Sequence, residues 1–168
     1  AKSKDDFLIY DITHSQFFKI SNEGENNFYS TRAFGKGSYI YIVTANNAEV
    51  NRIDLKDFSV RKIICKELSI NNGQVTNVAR IKDLLYIPLN QKKKMLLFNM
   101  QDESFRYFEF PSNISFIATI DYYNGRFWIT GEGSQIYVWD INESEAKKIA
   151  DFSGDVKLFY DGNIWFGN

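Results

Sequence analysis

The sequence predicts an all-β chain built from repeats of one four-stranded antiparallel unit, and three observations support this prediction. A 13-residue pattern recurs four times without gaps, at residues 8–20, 51–63, 96–108 and 137–149. The intervals between its equivalent Asp-type positions are 43, 45 and 41 residues. These positions are Asp11, Asp54, Asn99 and Asp140. Short apolar segments precede the last three patterns, and turn-forming residues separate the segments, as in antiparallel strands.

A strand-built period of about 40–50 residues is typical of the blade of a β-propeller. We therefore expect residues 1–168 to form a single β-propeller domain with four four-stranded blade units. The predicted boundaries are half-blade 7–21, blade 27–65, blade 74–110, blade 115–152 and half-blade 155–168.

Each unit has recognisable strands and turns. The second strands contain an aromatic column formed by Tyr41, Tyr86, Trp128 and Trp165. Hairpin turns are expected at Gly35–Gly37, Lys82-Asp83, Asn124-Gly125 and Asp161-Gly162, since Asn-Gly and Asp-Gly favour turns with positive φ. The Asp-type residues should hydrogen-bond their own backbone two residues on. The aromatic column, together with Tyr10 and Trp139, should pack between neighbouring blades.

One blade is predicted to be split between the N- and C-termini. Residues 7–21 supply only third and fourth strands, and residues 155–168 supply only first and second strands. A propeller must satisfy the edges of its sheets. Three arrangements remain open: one chain closes as a four-bladed ring, two or more chains exchange half-blades, or the sequence is a piece of a longer propeller.

Some segments resemble known propeller repeats. YVWDIN at 137–142 resembles the WD dipeptide of WD40 repeats, and the aromatic and hairpin spacing is similar to that of Kelch repeats. DGNIWFG at 161–167 is similar to a strand of bacterial sensor propellers and of the virginiamycin-lyase type. The Gly-His dipeptide of WD40 repeats and the double glycine of Kelch repeats are absent. The resemblance implies the propeller superfamily, and it carries over no catalytic residue.

The composition of the chain limits the classes of function that we expect. The net charge of −1 gives no general attraction to nucleic acid. His14 and Cys65 are the only histidine and cysteine, too few for the usual zinc sites, and we expect no metal or other cofactor. His14 should be a surface residue and Cys65 a structural one. No apolar run approaches the ~20 residues of a transmembrane helix, and no secretory signal precedes Asp6, which leaves the compartment open.

Candidate ligand-binding residues lie where the first strands of the units begin. By analogy with other propellers, binding is expected at the channel mouth and at the connections on that face. The first-strand candidates are Arg32, Asn77, Thr119 and Asp155. Lys92 and Lys93 belong to the one charge run, 92–94, in a connection between second and third strands.

The sequence most favours a non-enzymatic propeller scaffold that binds a protein or another ligand through the loops and channel mouth of one face. One alternative is a carbohydrate- or cell-envelope-binding module, since the chain is rich in aromatic residues and its loops are rich in Asn. A second is a propeller lyase or hydrolase that uses carboxylates and a divalent cation. The expected partners are a protein or a small carbohydrate, with a homodimer formed by half-blade exchange as a further option.

Overall fold

A computed structural model describes residues 7–20, 32–43, 49–65, 77–131, 133, 135–151, 155–160 and 163–167. For Phe7, Ile20 and residues 155–160 and 163–167, only the backbone is described. Within these ranges the chain is all-β, with sixteen strands and one short 3-10 turn at Asn90–Lys92.

The strands form five antiparallel sheets. The first hairpin is β1 (Phe7–Asp11) with β2 (Gln16–Ile20). Sheet I contains β3 (Arg32–Lys36), β4 (Tyr39–Val43), β5 (Glu49–Asp54) and β6 (Val60–Ile64). Sheet II contains β7 (Ala79–Ile81), β8 (Leu84–Leu89), β9 (Lys94–Asn99) and β10 (Phe105–Glu109). Sheet III contains β11 (Thr119–Tyr123), β12 (Arg126–Thr130), β13 (Gln135–Trp139) and β14 (Lys147–Asp151). The last hairpin is β15 (Asp155–Tyr160) with β16 (Asn163–Gly167).

The turns after the third strands confirm the predicted repeat. Oδ1 of the Asp-type residue accepts a hydrogen bond from the main-chain N–H two residues on, at 2.8, 2.9, 2.9 and 3.0 Å. These acceptors are Asp11, Asp54, Asn99 and Asp140. Four residues after the Asp-type position, Ser15, Phe58 and Glu103 adopt φ values of 52°, 59° and 58°. These three turns therefore share their backbone conformation despite different side chains, whereas Ser144 of the fourth turn has no positive φ.

The turns between first and second strands give a mixed outcome. Asn124 and Gly125 have φ values of 49° and 81°, as the predicted type I′ turn requires. The turn predicted at Gly35–Gly37 starts two residues later than predicted, at Gly37. Gly35 and Lys36 pair with β4, so the turn falls at Gly37-Ser38 instead. The turn predicted at Asp161-Gly162 lies outside the described residues.

The sheets pack face to face in chain order. Alternate residues of a strand point to opposite sides, so sheet II buries Leu85 and Phe98 against sheet I and Tyr86 and Met95 against sheet III. Ile9 of the first hairpin packs against sheet I. At the other end, β11 contacts both β7 and β15. The result is a row: first hairpin, sheets I, II and III, last hairpin.

The predicted packing of aromatic residues holds for most positions. Tyr41, Tyr86 and Trp139 are buried between sheets, and Trp128 is half-buried. Tyr10 is 48% exposed and so departs from the prediction that it packs between blades, because among the described residues no sheet packs against its side of the first hairpin. The side chain of Trp165 is outside the described residues. Within the described chain, no helix is long and apolar enough to cross a membrane.

Candidate functional site

The ends of the strands form two opposite faces of the row of sheets, the loop face and the turn face. The loop face is the end at which the first strands β3, β7 and β11 begin, and it carries the connections between second and third strands. The turn face is the opposite end, with the turns β3–β4, β7–β8 and β11–β12. Because the sheets lie in one row, side chains at equivalent ends of adjacent sheets become neighbours.

Three of the first-strand candidates lie on the loop face. Arg32 and Thr119 are the first residues of β3 and β11, and Asn77 lies two residues before β7. Nη1 of Arg32 donates a hydrogen bond to the main-chain oxygen of Val78 at 3.2 Å, and Val78 N donates to Oδ1 of Asn77 at 2.8 Å. Arg32 and Asn77 thus share one neighbour. Asp155 begins β15, and its side chain is not among those described.

Thr119 is fixed from within its own sheet. The Thr119 hydroxyl lies 2.7 Å from the hydroxyl of the buried Thr130. The main-chain N–H of Thr119 donates a hydrogen bond to the same Oγ1 of Thr130 at 3.1 Å. Like the contacts of Arg32 and Asn77, these bonds stabilise the start of a first strand. The candidates therefore form part of a fixed polar framework.

The connection that carries the lysines is anchored by a buried amide. Nδ2 of Asn90 donates to Ile117 O at 3.0 Å, and Ile117 N donates to Oδ1 of Asn90 at 2.8 Å. This pair of bonds joins the β8–β9 connection to the β10–β11 connection. Lys92 and Lys93 follow directly and are exposed, and Lys93 has a φ of 51°. Two lysines therefore project from an anchored base.

Lys94 departs from the prediction that the whole charge run lies in a loop. It is the first residue of β9, and its ammonium group lies 4.5 Å from the centre of the Tyr107 ring and 3.4 Å from Oε1 of Glu109. The strand begins one residue earlier than expected because Lys94 pairs with Leu89 and with Glu109 on its two sides.

The turn face contains a cleft that the sequence did not predict. It lies between sheets I and II, with a volume of about 430 Å³, and it is lined by Tyr39, Arg52, Glu103 and neighbouring turn residues. The Arg52 guanidinium lies 4.6 Å from the centre of the Tyr39 ring and 2.5 Å from Oε1 of Glu103. Arg61 reaches the other carboxylate oxygen of Glu103 at 3.1 Å. Sheet I thus supplies the cations and sheet II the carboxylate.

Two further contacts close the cleft. Nζ of Lys36 lies 2.9 Å from Oδ2 of Asp83 and donates to Oε1 of Gln101 at 2.6 Å. At its base the Tyr41 hydroxyl donates to Met100 O at 3.1 Å, and burial raises the pKa of Tyr41. The phenol therefore stays neutral over the physiological pH range.

A sequence signal for this cleft does exist. In the repeat alignment Arg52 shares a column with Ile9, Leu97 and Val138. An arginine where the other units place apolar residues between sheets needs a partner, because an unpaired buried charge is costly. The alignment does not say that Glu103 is this partner, because Glu103 belongs to the next unit.

His14 and Cys65 have the roles expected of them. His14 is exposed, and its Nδ1 lies 2.7 Å from Oδ2 of Asp11, a hydrogen bond that lowers the pKa of Asp11. Cys65 is buried in the layer between sheets I and II. In the part of the chain that the structure describes, no three His, Cys, Asp or Glu side chains are grouped to hold a metal ion.

Comparisons with known proteins concern the fold. No family model and no curated protein matches the sequence. Among solved structures, PorZ, a bacterial surface component of the type-IX secretion system of Porphyromonas gingivalis, is similar with a TM-score of 0.62 and 12% identity over 91% of this chain. The β-propeller domain of Cps50 (Swd1) from Myceliophteria thermophila is similar with a TM-score of 0.50 and 17% identity over 75% of this chain.

The matched region is a minor part of both relatives: it covers 20% of the PorZ chain and 39% of the Cps50 chain. At sequence identities this low, the similarity shows a shared fold and says nothing about activity. The antiparallel four-stranded sheets, their repeated turns and their packing in a row agree with it. In fold, this chain is similar to solved β-propeller structures.

Proposed function

We propose that this chain is a non-enzymatic propeller scaffold that binds a protein partner through its loop face and channel mouth. The observation that carries the proposal is the pair of hydrogen bonds between Asn90 and Ile117. These bonds anchor two connections of the loop face to each other, so Lys92 and Lys93 extend from a fixed base. Fixed display lowers the conformational cost of binding, and loops on rigid scaffolds commonly carry recognition.

The chemistry of the loop face favours an acidic segment of the partner. Lys92 and Lys93 are exposed cations, and Arg32 adds a third cation at the same end of the row. Asn77 provides a polar group near Arg32, and Thr119 provides another on the same face. Carboxylates of a partner would gain charge-assisted hydrogen bonds from these cations.

The test is the affinity of a fluorescent peptide rich in Asp and Glu, measured by anisotropy. We expect the double variant Lys92→Glu/Lys93→Glu to bind at least about tenfold more weakly than the wild type, because two attractive contacts become repulsive. The matched control is Lys56→Glu/Lys82→Glu, which changes the net charge equally at exposed positions of the turn face. An equal loss in both variants would show that only net charge matters and would refute a loop-face site.

A carbohydrate-binding module is the second candidate, and the turn-face cleft favours it. The cleft has an aromatic wall, Tyr39, together with the amide of Gln101 and the carboxylates of Asp102 and Glu103. Stacking on an aromatic ring combined with amide and carboxylate hydrogen bonds suits a sugar. Binding to a glycan panel that Tyr39→Ala abolishes and Tyr107→Ala preserves would support this candidate. A panel without any binding would exclude it.

The proposal includes completion of a fourth blade from the two hairpins, with β16 as its second strand and β1 as its third. Such a blade would satisfy the open edges of both hairpins and close the ring. The three complete blades all pair the same two repeat positions across these strands: Ile42 with Asn51, Ile87 with Leu96 and Ile129 with Tyr137. The corresponding pair is Phe166 with Leu8.

A further inference from the structure

The first hairpin has an exposed apolar face. Leu8, Tyr10 and Phe17 are 62%, 48% and 70% exposed, and the Tyr10 and Phe17 rings lie 4.6 Å apart. The opposite side of the hairpin packs on sheet I through Ile9 and through Phe18, whose ring stacks on Phe58 at 4.1 Å. Adjacent large apolar side chains left in solvent mark an interaction surface.

The repeat indicates what covers such a face. The positions equivalent to Leu8, Tyr10 and Phe17 in sheet II are Leu96, Phe98 and Phe105. Leu96 and Phe98 are fully buried against sheet I, and Phe105 packs beside them. The preceding sheet therefore covers this face in sheet II, and Tyr137 and Trp139 are buried in the same way in sheet III.

An aromatic trio defines the contact in sheet II. The Phe98 ring lies 5.0 Å from Phe105 and 5.6 Å from Tyr41 of the preceding sheet. The first hairpin reproduces the first of these pairs with Tyr10 and Phe17. To complete the trio, the first hairpin requires an aromatic residue of a preceding sheet at the repeat position of Tyr41.

Sheet III carries that counterpart on the face that points away from sheet II, which we call its open face although β15 of the last hairpin contacts β11. Trp128 occupies the repeat position of Tyr41, on the side of sheet III turned away from sheet II. The same side carries Tyr123 and Ile149, which are 44% and 43% exposed, and a cleft of about 480 Å³ lies between these three residues. In sheet I the position of Ile149 is Ile63, which is only 9% exposed because sheet II covers it. The open face of sheet III thus resembles the corresponding face of sheet I, but Tyr123 and Ile149 at its outer part are exposed.

We infer that the apolar face of the first hairpin docks on the open face of sheet III of a second copy of this chain. Within one chain the first hairpin is held on sheet I, and sheets I and II separate it from sheet III along the row. Joining two chains head to tail covers both faces, and two such contacts close a ring. The inference rests on the fourth blade of the proposed function and assigns its halves to different chains.

The first test is the molar mass in solution, by size-exclusion chromatography with light scattering over a range of concentrations. We expect twice the chain mass of 19.6 kDa for the wild type. Phe17→Lys and Ile149→Lys should each give single chains, because each places a charge in the contact. Ile64→Lys is the control: Ile64 is 52% exposed on the outer strand of sheet I, and its variant should remain dimeric. A wild type that is monomeric throughout, or a dimer that survives both changes, overturns the inference.

The second test does not depend on how well the charged variants fold. Chains with Leu8→Cys are mixed with chains carrying Phe166→Cys and are oxidised gently. A covalent dimer is expected from the mixture, because these residues should face each other across β1 and β16 of different chains. Ile9→Cys replaces Leu8→Cys in the control, since a shift of one residue turns the side chain to the other face of the sheet.

The same pair of cysteines tests closure within one chain. If Leu8→Cys/Phe166→Cys in a single chain oxidises to a species of monomer mass while the mixture gives no covalent dimer, the ring closes on itself and the second copy is excluded. The affinity for the acidic peptide is measured separately on each species. A dimer that does not bind the peptide would refute the proposed loop-face function and leave the interface intact.

Discussion

At the scale of the residue, Asn90 does most to hold the loop face in shape. Its side chain is 6% exposed and satisfies both main-chain groups of Ile117. We expect Asn90→Ala to lower the free energy of unfolding by about 1–3 kcal/mol, because it leaves a buried N–H and a buried carbonyl without these partners. Urea denaturation followed by tryptophan fluorescence measures the change.

Asn113 provides the matched comparison. Asn113 makes the same reciprocal pair of hydrogen bonds with the main chain of Ala146, at 2.7 and 2.9 Å. Unlike Asn90, however, Asn113 is itself exposed to solvent. Water can replace the lost partner there, so Asn113→Ala should cost clearly less than Asn90→Ala. Equal costs for the two variants would contradict the role given to burial.

Tyr41 should make stability depend on pH in the alkaline range. Burial raises its pKa above the ordinary value of 10.0, so the folded chain holds the phenol proton more tightly than the unfolded chain. This contribution is fully present below about pH 10 and is lost as the pH rises through the raised pKa. Tyr41→Phe should cost about 0.5–1.5 kcal/mol at neutral pH, through the bond to Met100, and should flatten the loss of stability above pH 10.

Denaturation curves between pH 8 and pH 11.5 test the prediction. Tyr107→Phe, which removes a hydroxyl from an exposed residue, is the control for the loss of a phenol, and it should leave the free energy of unfolding at neutral pH nearly unchanged. A slope that Tyr41→Phe does not alter would show that other groups cause the alkaline loss.

At the scale of the element, the Asn124-Gly125 turn sets the register of sheet III. Gly125 has a φ of 81°, and a Cβ there would meet nothing within 4 Å. The cost of Gly125→Ala is therefore conformational alone, about 1–2 kcal/mol. Gly35 offers the control, since it also has open space around it but no positive φ. Gly35→Ala should be neutral or slightly stabilising in the same melting experiment.

Strands and turns are the part of this fold that sequence predicts well, because their signals are local. Alternation of apolar residues fixes the strands, and Asp11, Asp54, Asn99 and Asp140 mark the turns after the third strands through bonds to residues two positions on. The error at Gly35 has a local cause as well. Two glycines flank Lys36, and sequence alone does not tell which of them has the positive φ.

The candidate site was predicted less completely, because it depends on which sheets meet. The first-strand position of Arg32 and Thr119 followed from the repeat, whereas their framework contacts did not. The cleft joins Arg52 to Glu103, which are 51 positions apart in the chain. Likewise, the exposure of Tyr10 depends on a neighbouring sheet and not on its own strand. Pairings between units require the three-dimensional arrangement.

At the scale of the whole molecule, the two sheet junctions differ in chemistry. Sheets I and II are joined by an apolar layer and also by the ion pairs of Lys36 with Asp83 and of Arg52 with Glu103. Sheets II and III meet through an aromatic layer that includes Phe108, Phe127 and Trp139. Salt screens ion pairs at the surface more than apolar contacts, so by the contacts of the described residues the first junction should respond more strongly to ionic strength than the second.

The arrangement of the sheets in a row has a consequence for how the molecule opens. A sheet that touches only its neighbours makes stability a sum of nearest-neighbour terms, as in a one-dimensional lattice. Sheet II packs against a four-stranded sheet on each side, whereas the first hairpin packs against a sheet on one side. In a single chain, amide hydrogen exchange should therefore be slowest in β8 and β9 and fastest in β1 and β2.

Comparing the wild type with Phe17→Lys by exchange mass spectrometry tests this gradient. A line of coupled units frays from its ends, whereas a closed ring has no end from which to begin. We therefore expect a steep gradient in the variant and a nearly even one in the assembled wild type. The exposed face of the first hairpin then determines whether the chain opens one sheet after another or unfolds as a single cooperative body.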